Sequence, residues 1–155
     1  MTSKELTIYS GGQTGVDRAA LDAAMQHGYA CAGWCPSGRK AEDGRIPDYY
    51  PLAELEKGGY RERTIRNLRQ TDGTVIIFFD ELSGGTKLTA DSCVRYQVPH
   101  ILINANVLDP VNAASEISTF IKANSIGTMN VAGPRASGHP RAYDYTYAAI
   151  CQLLA

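Results

Sequence analysis

Short β-type runs alternate with segments of helical periodicity along the chain, and this alternation constrains the fold more than any other feature. Residues 74–79, TVIIFF, form a β-branched and aromatic run suited to a strand that is buried on both faces. Similar short runs predict four further strands, at residues 6–9, 29–34, 100–103 and 128–132. Helical spacing follows each strand, at residues 15–27, 60–70, 83–96, 109–124 and 140–154. The pattern predicts an α/β fold, a doubly wound parallel sheet of about five strands in three αβα layers.

Length and charge narrow the range of functions. A chain of 155 residues can build one ordinary core, so we expect a single ligand-binding domain over residues 1–155. The formal net charge of -1 lacks the basic surplus of nucleic-acid-coating proteins, and we expect no nucleic-acid partner. No apolar run has signal-peptide or membrane-span character, which predicts a cytoplasmic protein without a membrane partner. The four cysteines are scattered, and this spacing predicts free, mostly buried thiols.

Three glycine-rich loops follow predicted strands: SGGQTG at residues 10–15, SGGTK at residues 83–87 and AGPRASGHP at residues 132–140. In a doubly wound sheet, ligands bind where loops leave the carboxyl ends of the strands. Glycines let backbone N–H groups approach a ligand, and the helix that follows presents its N-terminus to an anion. The loops therefore predict a phosphate or oxyanion site, with tight turns as the alternative. Their spacing matches neither GxGxxG nor a Walker loop, so neither a dinucleotide oxidoreductase nor an NTPase is supported.

Several side chains near these loops are candidates for ligand contact. Arg135, in GPRASGHP, suits bidentate binding of an oxyanion. Asp17 lies in a first helical turn, where it either meets a ligand hydroxyl or ring N–H or is stabilised by the helix dipole alone. Trp34 and Tyr49 either stack on a heterocycle or are buried. His139 precedes a proline, where a histidine is more often a turn residue than a general acid–base group.

Five segments, in order, resemble the molybdenum carrier (molybdenum cofactor carrier) family: GGQTGVDRAALDAA, GWCPSGRKAEDGRIPDYYPL, YRERTIRNLRQTDGTVII, GGTKLT and NVAGPRASGHP. These proteins are small and Rossmann-like, and they are distantly related to LOG-type nucleotide hydrolases and Smf-type DNA-processing proteins. The resemblance implies a Rossmann-like binding or carrier protein for molybdenum cofactor (molybdopterin) or another phosphate-bearing pterin or nucleotide. It also implies a homodimer or homotetramer, for which the basic helix or the last helix offers an interface.

The resemblance also implies where the ligand binds. The implied contacts are Gly11, Gly12, Thr14 and Gly15 in the first loop, Arg39 and Lys40 in the long polar loop, Arg63 and Asn67 on the basic helix, and Gly84, Gly85 and Thr86 in the second loop. Arg135 of the third loop completes this set. Arg39 is the preferred anion partner in the long loop, where Glu42 and Asp43 are expected to balance the charges of Arg39 and Lys40. No metal ligands are expected.

A departure from the LOG-type pattern bears on catalysis. Those hydrolases place a glutamate after the second glycine pair to assist glycosidic cleavage, whereas this chain reads GGTKLTAD, with Lys87 and Asp91 there. A glycosidic hydrolase needs a carboxylate close to the sugar. Besides Asp91, only Asp17 and Asp43 are candidates for that role. The sequence therefore favours a carrier without catalytic residues, and an N-glycosidic nucleotide hydrolase or phosphoribosyl-type transferase remains the alternative.

Overall fold

The central sheet has five parallel strands, as the sequence pattern predicts. The structure, a computed structural model, describes residues 5–155. The strands along the chain are β1 (Thr7–Tyr9), β2 (Cys31–Ala32), β3 (Trp34–Cys35), β4 (Lys40–Ala41), β5 (Gly44–Arg45), β6 (Ala53–Glu54), β7 (Gly73–Phe78), β8 (His100–Asn104) and β9 (Thr128–Ala132). The central sheet has the order β2-β1-β9-β7-β8. Its five strands coincide with the five predicted ones.

Five helices cover the two faces of this sheet. They are α1 (Val16–Gln26), α2 (Tyr60–Arg69), α3 (Gly84–Arg95), α4 (Pro110–Asn124) and α5 (Ala142–Leu154). On one face α5 packs against both α1 and α4, while α2 packs against α3. Side chains alternate along β7, so Val75 and Ile77 belong to the larger core and Ile76 to the smaller one. The three-layer α/β fold is confirmed.

Strand order brings the glycine loops together. β9 pairs with β1 on one side and with β7 on the other, so the last strand of the chain lies in the middle of the sheet. Parallel strands end at the same edge, and the loops after β1, β7 and β9 therefore leave the sheet side by side. This arrangement positions the candidate site.

The long polar segment after β3 is more ordered than the sequence predicts. β3 pairs with β6, and β4 pairs with β5, in two small two-stranded sheets. Ile46 and Tyr50 of this segment are buried with Leu21 of α1 in a separate small core. The prediction that this segment is a long polar loop without regular structure is wrong for its paired residues. Two-residue strands among charged residues show no alternating pattern, so the sequence does not reveal them.

The cysteines and helices show two further features. All four cysteines are free, with Cys35 and Cys93 buried and the other two partly buried. Burial raises the pKa of the Cys93 thiol to about 11. Within the part of the chain that the structure describes, no helix is both long and apolar enough to cross a bilayer.

Candidate ligand-binding site

A cavity of about 620 Å³ lies at the carboxyl edge of the central sheet. Its wall comes from the first loop and α1 (Gly11, Gln13, Asp17), α2 (Tyr60, Arg63, Thr64, Asn67), the end of β7 (residues 78–81), the start of α3 (residues 83–86 and Thr89) and the end of β9 with the third loop (residues 130–135, 138 and 139). This volume is typical of small-molecule sites. All three glycine loops therefore meet at one cavity.

The first loop is glycine-rich because other parts of the protein approach it closely. A Cβ atom on Gly11 would lie 2.2 Å from Nη1 of Arg63. Gly15 has a φ of +82°, and its Cβ would lie 2.6 Å from the carbonyl oxygen of Pro134 in the third loop. Of the four predicted contacts in this loop, only Gly11 lines the cavity. Gly12 packs against Leu52, and the Thr14 hydroxyl accepts a hydrogen bond from the backbone N–H of Ala136 at 3.1 Å.

The second loop opens α3 toward the cavity without a capping side chain. Ser83 occupies the N-cap position but makes no side-chain hydrogen bond to the helix, and the first turn contains no acidic residue. A Cβ on Gly85 would meet no atom within 4 Å. Residues 83–86 all line the cavity, so the first N–H groups of α3 are available to an anion.

Arg63 and Asp17 form a buried pair in the cavity wall. The guanidinium of Arg63 donates from Nη1 to the carbonyl of Gly11 at 2.9 Å, and the same atom lies 3.4 Å from Oδ2 of Asp17. Its Nε donates to the carbonyl of Tyr60 at 3.3 Å, while Nη2 has no acceptor among residues 5–155. Burial raises the pKa of Asp17, and the positive charge of Arg63 opposes this effect. Arg63 is thus held in place by Nη1 and Nε, and its Nη2 can still donate a hydrogen bond to a ligand.

Two further buried polar side chains line the cavity with unused hydrogen-bonding atoms. Gln13 accepts at Oε1 from the backbone N–H groups of Thr14 and Glu42, but its Nε2 has no acceptor in the described chain. Thr86 is 8% exposed, and its hydroxyl has no partner there. Among the described residues, only Oγ1 of Thr146 is sealed from solvent and lacks a hydrogen bond. Nε2 of Gln13 and the hydroxyl of Thr86 are therefore not sealed from solvent, and both residues line the cavity.

Glu42 holds the third loop at the cavity mouth. Its carboxylate accepts from the hydroxyl of Thr14, from the backbone N–H of Ser137 at 3.2 Å and from the hydroxyl of Ser137 at 2.5 Å. Arg135 lies with its Nε 3.7 Å from Oε1 of Glu42, and its side chain is 55% exposed. The hydrogen bonds from Ser137 and Thr14 hold the pKa of Glu42 below its usual range.

The acidic residues of the long segment have other partners than those predicted. Asp43 accepts two hydrogen bonds from Arg18, at 2.6 and 2.8 Å. Glu42 pairs with Arg135, as described above. The prediction that Glu42 and Asp43 balance Arg39 and Lys40 is therefore wrong, because the segment folds back onto α1 and the third loop.

Arg39 and Lys40 do not line the cavity. The guanidinium of Arg39 is buried and donates to four backbone carbonyls, those of Ile46, Pro47, Tyr50 and Leu52, at 2.7–3.3 Å. Lys40 is exposed, with its Nζ 5.7 Å from the ring centre of Tyr60, a residue of the cavity wall. The structure thus uses Arg39 to hold the long segment together, and it places Lys40 near the rim.

Asn67 and Trp34 are bonded to each other. Oδ1 of Asn67 accepts from the backbone N–H of Trp34 at 2.8 Å, and Nδ2 donates to the carbonyl of Trp34 at 3.0 Å. Asn67 lines the cavity, but both ends of its amide are occupied. Trp34 lies outside the cavity wall, with its indole N–H bonded to Gln70 at 2.9 Å.

The aromatic part of the wall is not the predicted one. Tyr49 is 67% exposed and, like Trp34, does not line the cavity. Phe79 and His139 do, with their rings stacked at a centroid distance of 3.8 Å. Nδ1 of His139 accepts from the backbone N–H of Arg141 at 3.1 Å. Phe79 belongs to a run that reads as core, and no sequence signal marks it as a wall residue.

The carboxylates proposed for a hydrolase are distributed differently from the sequence expectation. Asp91 is exposed and pairs with Lys87 at 2.6 Å, and neither residue lines the cavity. Asp17, Asp80 and Glu81 do line it. Asp80 and Glu81 lie in the loop that leaves the carboxyl end of β7. Polar residues at this position of such a sheet are candidates for a site. In residues 5–155, histidine, cysteine and carboxylate side chains do not gather in groups of three or more that could hold a metal ion.

Two comparisons with known proteins match this chain over most of its length. The model of the "Circularly permutated YpsA SLOG family" matches residues 8–154. The crystal structure of a "Putative molybdenum carrier protein" from Syntrophus aciditrophicus SB is 40% identical in sequence, with a TM-score of 0.93 over 96% of this chain and 94% of that chain. No curated protein matches. These similarities confirm the predicted resemblance and support a ligand-binding role. The chain belongs to the circularly permutated YpsA SLOG family.

Proposed function

We propose that this protein binds a phosphate-bearing small molecule in the cavity and carries it unchanged. The observation that supports this most is a set of hydrogen-bond donors without an acceptor among residues 5–155: Nη2 of Arg63, Nε2 of Gln13, the hydroxyl of Thr86 and the uncapped start of α3. The oxygens of a phosphate accept hydrogen bonds, so a phosphate group matches this set of donors. The name of the similar Syntrophus protein supports molybdenum cofactor, molybdopterin, as the ligand. Another phosphate-bearing pterin or nucleotide would use the same donors.

The residues present fit a molybdopterin. Its terminal phosphate would be held by Arg63, Gln13 and Thr86, with Arg135 at the mouth. Gly85 leaves open space where a side chain would stand, so the phosphate can approach the start of α3. Ring N–H groups of a pterin are suited to the carboxylate of Asp17, and Tyr60 and His139 give the wall aromatic surface. When bound, the cofactor supplies molybdenum redox chemistry, and this chain would only hold it and shield it from water.

A gain of negative charge at Gly85 tests the anion site. Because the position is open, Gly85→Glu can be accommodated, and its carboxylate would compete with phosphate for the start of α3. We expect inorganic phosphate to bind the natural protein and to lose at least about tenfold in affinity in Gly85→Glu, measured by isothermal titration calorimetry. Gly85→Ala, which adds no charge, is the control. Equal phosphate affinity in all three proteins contradicts the proposal.

The identity of the ligand can be tested without any variant. We expect native mass spectrometry of protein purified gently from its own host to show a bound species with the mass of molybdopterin or of another phosphate-bearing heterocycle. Protein that carries no such species from host cells grown with molybdate would contradict the cofactor assignment. That result would not contradict the anion site, which the phosphate titration of Gly85→Glu tests separately.

A nucleotide N-glycosidic hydrolase is the second candidate, because Asp80 and Glu81 line the cavity beside the start of α3. Three features favour the carrier instead. Asp17 is bonded to the backbone N–H of Gln13 at 3.2 Å and paired with Arg63. Asp80 accepts from Asn106 at 2.7 Å. Glu81 is exposed to solvent.

Chromatography separates these two functions. We expect no release of free base from nucleoside monophosphates above background, together with slower oxidation of molybdenum cofactor in the presence of the protein. Base release that is abolished by Glu81→Gln or Asp17→Asn would establish the hydrolase instead. Gln70→Glu, a change outside the cavity, controls for nonspecific effects of substitution.

We also propose that the protein acts in the cytoplasm as a homodimer or homotetramer. The last helix offers only part of its aromatic surface to a partner, because Tyr145 is buried and the hydroxyl of Tyr143 donates to Asp22. The outward face of α2, with Arg61, Arg66 and Arg69 exposed, remains the predicted surface for self-association.

A further inference from the structure

We propose that Gln13 determines the charge specificity of this site, because its side-chain amide is locked with its N–H groups toward the cavity. Gln13 follows the first glycine pair and is only 7% exposed. This inference rests on the proposed function, in that it assigns a role to Gln13 within the same anion site. It goes further by naming the residue that makes the site select a phosphate over a cation or a neutral group.

Two backbone N–H groups fix the orientation of the Gln13 amide. Oε1 accepts from the N–H of Thr14 at 3.0 Å and from the N–H of Glu42 at 2.9 Å. If the amide were turned over, its NH2 group would face these two donors and both hydrogen bonds would be lost. The chemistry of the neighbours thus determines which end of the amide is oxygen. Nε2 must point away from Thr14 and Glu42.

The locked Nε2 belongs to the cavity. It has no acceptor in the described part of the chain, and it is not among the sealed, unbonded atoms there. Gln13 lines the cavity, and we infer that Nε2 faces the space that a ligand would fill. An unbonded donor in a largely buried side chain raises the free energy of the empty site, and an anionic acceptor would relieve this.

The neighbours of Gln13 reinforce its selectivity. Nη2 of Arg63 and the hydroxyl of Thr86 also lack a partner within the described chain. Asp17, a carboxylate of the same wall, already accepts from the backbone N–H of Gln13 and lies 3.4 Å from Arg63. A tetrahedral oxyanion would meet donors from Gln13, Arg63 and Thr86, whereas a cation at the same place would lie beside the positive charge of Arg63 and would compete with it for Asp17.

An isosteric substitution tests this role. In Gln13→Glu, one carboxylate oxygen can still accept from Thr14 and Glu42, while the other places negative charge where the donor was. We expect the affinity for inorganic phosphate to fall at least about tenfold, measured by chemical-shift titration of the 15N-labelled protein through the amides of Gly85 and Thr86. Gln26→Glu, the same change on an exposed residue of α1, should leave the affinity unchanged.

A second readout needs no variant and so does not depend on how well Gln13→Glu folds. In the natural protein, the side-chain NH2 resonances of Gln13 should shift with the same phosphate saturation curve as the amide of Gly85. If Gly85 responds while the Gln13 NH2 group does not, or if Gln13→Glu binds phosphate as tightly as the natural protein, this inference is overturned and the anion site stands. If phosphate shifts neither group, the proposed function itself is overturned.

Discussion

Three arginines predicted as anion partners have three different environments. Arg39 is surrounded by backbone carbonyls, Arg63 is half engaged in the cavity wall, and Arg135 lies exposed at the mouth. The supply of acceptors separates a structural arginine from a ligand-binding one. For Arg39 those acceptors come from residues 46–52, and the sequence does not show that this segment wraps around the guanidinium.

Alanine substitutions of Arg39 and Arg135 should affect different properties, stability for Arg39 and phosphate affinity for Arg135. Arg39→Ala leaves four buried or partly buried carbonyls without donors, so we expect the free energy of unfolding to fall by more than about 3 kcal/mol. Arg135→Ala should change stability by less than about 1 kcal/mol, because its ion pair is exposed. It should weaken phosphate binding by about 1.5–3 kcal/mol.

Urea denaturation and phosphate titration of both variants provide the measurement. A stable Arg39→Ala protein with weakened phosphate binding would show that Arg39 contacts the ligand after all. We expect urea to unfold Arg39→Ala at a lower concentration and phosphate to bind Arg135→Ala more weakly.

Among the elements, the long segment between β3 and α2 depends on a few carboxylates for its position. Glu42 joins it to the first and third loops, and Asp43 joins it to Arg18 of α1. Both carboxylates have lowered pKa values, Glu42 from the hydroxyl groups of Ser137 and Thr14 and Asp43 from Arg18. The cavity mouth is therefore held by carboxylates that stay ionised to lower pH than ordinary Asp and Glu side chains.

Acidification should loosen the third loop. Because the folded pKa of Glu42 is lowered, its stabilising contribution is complete above the ordinary glutamate value of about 4.3 and is lost as the pH falls through the folded value. We expect the amides of Ala136 and Ser137 to lose hydrogen-exchange protection in this range. Glu42→Gln should produce the same loss at neutral pH.

Asp43→Asn is the matched control for Glu42→Gln, because it weakens the contact with Arg18 and leaves the third loop bonded. Unchanged protection of Ser137 in Glu42→Gln would show that the third loop keeps its position without this carboxylate.

The helices and the strands of the central sheet were predictable from sequence, whereas the short strands β3 to β6 were not. The buried run of β7 and the apolar periodicity of α1 each extend over enough residues to be read from sequence. β3 to β6 are two residues each, and their pairing depends on distant partners. The convergence of the three loops was predictable because parallel strands share one carboxyl edge. The wall residues Gln13, Phe79 and Asp80 were missed because their roles depend on which strand lies beside which.

Considered as a whole, the molecule has apolar side chains outside its core. Val94, Leu102, Val107 and Val111 are all exposed. Leu102 lies in β8, the strand at one edge of the central sheet, Val107 follows that strand, and Val94 and Val111 lie in the helices before and after it. Exposed edges with apolar neighbours favour pairing with another chain. This distribution supports self-association, although it was the helices that suggested an interface from sequence.

Sedimentation velocity at micromolar concentration checks the assembly. We expect the mass of a dimer or tetramer of the 16.8 kDa chain, unchanged by moderate salt if apolar contacts dominate. A single monomeric species across that concentration range would contradict this expectation. Dissociation by salt would instead indicate an interface that involves the arginines of α2.

The central position of β9 has a consequence for synthesis of the protein on the ribosome. Until residues 128–132 emerge, β1 with β2 and β7 with β8 are two separate parallel pairs, and no strand joins them. The nascent chain therefore lacks the strand and the third loop that complete the cavity. Because contacts so distant in sequence form late, the sheet closes only after residues 128–132 have left the ribosome. The cavity can thus be complete only once the third loop, residues 132–140, has also been made.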